Sequence, residues 1–120
     1  MSAHSIMRKN IYIENAGFCI VSNNILNGNG LLKWLLREHP VRDKDNGWRF
    51  FSDIDDNDFI NDPANMSICD FNDVADIEPA IVAIYTLPIG SDIQLIVENN
   101  IKTFWDNITD TGIDIDSLYQ

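Results

Sequence analysis

Between Arg49 and Lys102 the chain has no lysine and no arginine. A cationic strip that could follow a phosphate backbone is therefore missing from much of the sequence, and nucleic acid is not the expected partner. An anionic membrane surface is disfavoured for the same reason. Long apolar runs are missing too. The longest, residues 80–85, falls far short of the roughly 20 residues a membrane span needs. The first ten residues are polar, with Arg8 and Lys9 but no apolar stretch of signal-peptide length behind them, so a cytoplasmic protein is expected. Cysteine is scarce: Cys19 and Cys69 lack C-x-x-C spacing and read as reduced, buried thiols. Histidine is scarcer in use, with His4 near the N-terminus and His39 in front of Pro40. These four residues show no zinc-ligand spacing and supply no clear imidazole base. Gly28 and Gly30 lack the rest of any phosphate-binding fingerprint. No catalytic site, metal or cofactor is expected.

What is present is acid and core. The 120 residues carry 8 bases against 19 acids, a net charge of -11, with 45% hydrophobic residues. That length suits a single domain, 1–120, burying roughly 65% of the surface exposed by the unfolded chain. The charge is segregated. Residues 1–49 hold seven bases and four acids, whereas residues 50–120 hold fifteen acids and one base. Such a division predicts a strongly negative face. Asn and Asp together contribute 29 residues, which implies a loop-rich chain.

Periodicity and turn residues predict an α+β fold: a mainly antiparallel sheet with short helices covering one face. Residues 18–21 read as a strand, followed by Asn27-Gly28-Asn29-Gly30 as a doubled hairpin signal. Residues 31–37 read either as a strand with Leu32, Trp34 and Leu36 on one face or as a helix with Leu31, Leu32, Leu35 and Leu36 in a stripe, and the flanking Asn-Gly turn favours the strand. A polar loop then closes at Asn46-Gly47, and Trp48-Arg49-Phe50-Phe51-Ser52 is the strongest strand. Arg49, set in that apolar run, is expected to snorkel or to pair with a carboxylate on a neighbouring strand. Residues 53–62 read as a loop. Asp70 is placed to cap a helix over 71–76, and Pro79 to open another over 80–85. Residues 93–97 suggest a late strand and 101–108 a C-terminal helix.

Two motifs fail on inspection. Asp53-Ile54-Asp55-Asp56-Asn57-Asp58 starts like a calcium loop, but its sixth position is Asp58 where Gly is needed. Its twelfth is Ala64, where a bidentate Glu should close the site. Asp110-Thr111-Gly112 echoes an aspartic-protease triplet without the second copy that shared-proton chemistry requires, and reads as a turn. Trp34, Trp48, Phe50 and Phe51 read as core, any one of them being able to serve as a partner anchor.

A further pattern runs through Trp34, Arg37-Glu38 and Pro40, then Asn46-Gly47-Trp48-Arg49-Phe50-Phe51-Ser52. Asp55-Asp56, Asn61-Asp62-Pro63-Ala64-Asn65, Asp70, Asn72, Ile77, Pro79, Pro88 and Gly90 continue it. This pattern resembles immunity family thirty-three of the bacterial polymorphic toxin systems, first catalogued as a domain of unknown function. The family-like core spans about 17–95, with a C-terminal extension of about 96–120. The resemblance implies a small cytoplasmic protein that neutralises a cognate toxin without catalysis.

Acidity fits that role, because toxin domains that attack nucleic acids are often basic and an acidic inhibitor gains association rate by steering. The expected contact residues are Asp53, Asp55, Asp56, Asp58 and Asp62, in a segment without any base. The alternative is a module that binds a metal ion or small ligand through the same 53–62 loop. Homo-oligomerisation is open.

Overall fold

The computed structural model describes residues 10–119. The aromatic run foreseen as the strongest strand lies near the middle of the sheet. It forms β3 (Asp45–Ser52), flanked by β1 (Phe18–Ser22) and β2 (Leu32–Arg37). The seven strands include β4 (Met66–Asp70), β5 (Asp92–Glu98), β6 (Ile101–Asp106) and β7 (Thr111–Ile113). Their order is β4-β1-β3-β2-β5-β6-β7. Among the described residues only the β1–β3 pair is parallel, so the mainly antiparallel α+β expectation holds.

One face of the sheet is the core. Cys19, Val21, Leu35, Trp48, Phe50, Ile93, Leu95 and Phe104 point into it and are buried. Helix α3 (Phe71–Ile77) and the 3-10 helix Pro79–Ile84 close this face. Phe71, Val74 and Ala75 fall at i, i+3 and i+4, which puts them on one side of the helix. Phe71 meets Phe50 at 6.2 Å and the edge of Tyr85 at 4.8 Å between ring centroids. Asp70 caps α3 by accepting from the Asn72 amide at 2.8 Å. Pro79 occupies the first turn of the second helix, where its missing N–H costs nothing.

Several expectations are corrected. Residues 27–30 do not join paired strands. Helix α1 (Asn23–Leu26), capped by Ser22, carries the chain away from β1, and β2 lands beyond β3. Asn46-Gly47 lies inside β3, where the β1–β3 register steps from Phe18↔Asp45 to Ile20↔Arg49 and gives β3 extra residues. Gly47 has φ +87° there, and a Cβ on it would stand 2.2 Å from the Glu38 carbonyl oxygen; only glycine fits. In β2, two residues oppose one at the Leu32 end, so the bulge turns Leu35 to the core and sends Trp34 and Leu36 to the opposite face. Leu32 therefore does not share a face with Trp34. Residues 101–106 form a strand, since Asn99 and Asn100 both adopt positive φ, 52° and 65°, the pattern of a tight hairpin turn. Residues 53–62 contain helix α2 (Asn57–Ile60), and of the Asp110-Thr111-Gly112 triplet Asp110 ends the turn (φ 58°) while Thr111 and Gly112 open β7. Strand β4 was not foreseen.

Candidate functional site

Opposite the core, the other sheet face carries no helix packed across it among the described residues. Register places two rows on it. Phe51, Trp34, Gln94 and Trp105 follow one another across β3, β2, β5 and β6. Ile20, Arg49, Leu36 and Asp92 run across β1, β3, β2 and β5. Except for Arg49, which is 4% exposed, all of these are half-buried.

Arg49 is neutralised where it stands. Its guanidinium makes two bonds to Asp45, at 2.9 and 2.7 Å, and a third to Glu38 at 3.1 Å. One partner thus lies on its own strand and the other follows the end of β2. The Asp45 carboxylate also accepts from the amides of Val41 and Gly47 at 2.9 and 2.8 Å. The Arg49 hydrogen bonds hold its pKa well below the usual carboxylate range, against a burial cost that would raise it. Arg37 points to the core side instead. It donates to the carbonyls of Asn46, Tyr85 and Leu87 and lies over the Trp48 and Tyr85 rings, so it bolts β2 to the 3-10 helix. Trp48 and Phe50, by their stacking at 6.0 Å, are core. Of the motif residues, Trp34 and Phe51 are the aromatics left on the uncovered face.

The 53–62 segment borders that face, and its aspartates do different things. Asp53 accepts from the Leu31 amide at 2.9 Å. Asp55 is the most committed, accepting from Asn24 Nδ2, Ser52 Oγ and the Ser52 amide at 2.7–2.8 Å. Burial alone would raise its pKa, but these donors hold it below the ordinary value. Asp56 caps α2 through the Phe59 amide, and Asp62 caps the following 3-10 turn through Ala64. Asn61 and Pro63 flank that second cap. Asp58 has no side-chain hydrogen bond among the described residues. No group of three or more His, Cys, Asp or Glu is placed to hold a metal ion among those residues.

Where loop and sheet meet, a shallow cavity of about 280 Å³ opens. Trp34, Leu36 and Phe51 line it together with the carboxylates Asp55, Asp56 and Asp92 and with Asn57 and Ile60 of α2. Asp55 and Asp56 were anticipated from charge. Leu36, Asp92, Gln94 and Trp105 were not, although the polar–apolar alternation of residues 92–95 gave a signal. His39 lies in a separate recess with Ile89 and Ile108. His4 is outside the described residues. Cys19 and Cys69 face each other across β1 and β4 as free thiols.

The described residues thus form one mainly antiparallel sheet with short helices over its core face and the 53–62 segment beside the other. Residues 19–105 match the model of the Immunity protein Imm33 domain, and the chain belongs to that family. The match includes β5 and most of β6, as far as Trp105. Family membership points to a toxin-neutralising role, one generally exercised without catalysis. Neither the curated proteins nor the solved structures gave a match. No helix among the described residues is long and apolar enough to cross a membrane.

Proposed function

We propose that this chain is a cytoplasmic, non-catalytic immunity protein that binds a basic cognate toxin through the face bordered by residues 53–62. The family match over residues 19–105 carries the reading. Charge layout supports it, since fifteen acids and one base occupy residues 50–120. Most of those acids act at a distance, by raising the rate of encounter. At physiological salt the Debye length is about 8 Å, so added salt slows association far more than it hastens dissociation.

The test is co-expression with candidate toxin domains encoded by the adjoining genes, scored as cell survival, with association rates measured on the purified pair of any that is neutralised. Asp53, Asp56, Asp58 and Asp62 are replaced together by Asn, which keeps an accepting oxygen for each backbone amide and caps helices as well as Asp. Asp55 is left intact because its two oxygens serve three donors. Association falls roughly 10-fold in the variant at low salt, while the fold is retained. An unchanged rate would assign these acids to solubility.

A further inference from the structure

The cavity between α2 and the uncovered sheet face has a chemistry more specific than negative charge. Two aromatic side chains, Trp34 and Phe51, line it, with Leu36 among the other lining residues. Its charged lining is carboxylate. Asp55 has both oxygens engaged internally. Asp56 spends Oδ1 on the Phe59 amide, and Asp92 spends Oδ1 on Asn107 Nδ2 at 3.0 Å. The Oδ2 of each of these two has no partner among the described residues, so both can accept further donors. The nearby base is Lys33, whose ammonium lies 5.2 Å from the Trp34 ring centroid; the indole already receives a cation. Arg49, on the same face, is cancelled by Asp45 and Glu38. The local balance is therefore negative beside an aromatic lining.

We propose that this cavity seats an arginine side chain of the partner toxin. The proposal rests on the immunity reading and names the partner group that reading leaves open. About 280 Å³ is the room of roughly nine waters, enough for one long side chain with its stem along Leu36. A planar guanidinium stacks on indole and phenyl faces while its N–H groups reach carboxylates at the edge. Lysine brings the same charge as a compact, strongly hydrated point and gains less from the aromatic lining. Arginine preference is therefore the signature of the cavity, whereas a plain acidic surface treats the two alike.

The experiment is titration of the full chain, labelled with nitrogen-15, with hexa-arginine amide and separately with hexa-lysine amide at equal ionic strength. The Trp34 indole resonance is assigned from a Trp34→Phe variant. Arginine peptide binds several-fold tighter than lysine peptide and moves the Trp34 indole together with the amides of Asp56, Asn57 and Asp92. Trp34→Ala and the pair Asp56→Asn with Asp92→Asn each abolish the preference; the second keeps the acceptors for Phe59 and Asn107 and so guards against a folding defect. Equal affinities, or shifts confined to another face, overturn the proposal. Movement of the Trp34 resonance on simple dilution would do so too, because the occupant would then be a second copy of this chain. A chain that protects against its toxin but binds both peptides equally loses the cavity and keeps the immunity reading. A chain that prefers arginine but protects against no neighbouring toxin does the reverse.

Discussion

Replacing Asp45 by Asn tests the buried Asp45–Arg49 ion pair of β3. The Asp45 side chain is 0% and that of Arg49 5% exposed. The carboxylate takes four donors, two from Arg49 and one each from the Val41 and Gly47 amides. An amide supplies one oxygen, and its NH2 then faces donors that it cannot accept from. Arg49 is left with Glu38, whose side chain is 58% exposed and worth about 0–1 kcal/mol at such exposure. Breaking one side of a buried pair costs about 3–5 kcal/mol, a large share of the roughly 5–15 kcal/mol that holds a domain together. With a urea slope of about 2 kcal/mol/M, the unfolding midpoint falls by about 2 M, read from tryptophan fluorescence. The pH dependence has a fixed sign. Asp45 is depressed in the folded state, so its contribution is fully present above the unfolded carboxylate pKa of about 3.9 and fades as pH falls below it. The gap between native chain and variant therefore narrows between pH 5 and pH 2. A midpoint shift under about 0.5 M, or a gap that stays constant over that range, would refute the assignment.

Gly47→Ala forces a Cβ to within 2.2 Å of the Glu38 carbonyl at φ +87°; strain of that kind costs about 1–3 kcal/mol before the overlap is counted. Calorimetry should show a thermal midpoint lower by roughly 10 °C, and an unchanged midpoint would mean the β3 distortion is soft. Burial, and then the neighbouring Cys69, push the Cys19 thiol pKa up, and Cys19 is 0% exposed against a half-buried Cys69. A thiol reagent at neutral pH therefore labels Cys69 first and both slowly, with the difference lost in urea; prior labelling of Cys19 would contradict the packing of β1 against β4.

Elements with strong local signals were legible in the sequence. Phe18–Ser22 and the aromatic end of β3 declare themselves by β-propensity and bounding turns, and α3 by its Asp70 cap and Phe71/Val74/Ala75 spacing. What stayed hidden depends on partners far along the chain. Strand β4 shows no clean alternation because it is an edge strand, with Ile68 53% exposed. The bulge in β2 swaps the faces of Trp34 and Leu36 through a register that only β3 defines. The hairpin of β5 and β6 turns on Asn99-Asn100, which supplies positive φ without glycine. The site divides the same way. Its acidic border follows from charge along the chain, but its lining joins β2, β3 and β5, and no spacing rule brings Asp92 beside Trp34 before the strand order is known.

The formal charge of -11 thus overstates the acid free to meet a partner and understates how it is sorted. Asp45 is cancelled by Arg49, and Asp55 is spent on three internal donors. Both serve the frame. Asp56, Asp62 and Asp92 each give one oxygen to a local donor, which fixes the side chain and aims the remainder. A capped carboxylate loses little rotamer freedom when a second donor arrives, so ordering it costs less than ordering a free surface chain. Long-range attraction needs only net charge and is screened over about 8 Å; selective seating needs fixed carboxylates beside an apolar lining and is screened much less. The two properties reside in different atoms of the same residues. That separation is why salt sensitivity of the association rate and arginine preference at the cavity can be measured independently in one protein.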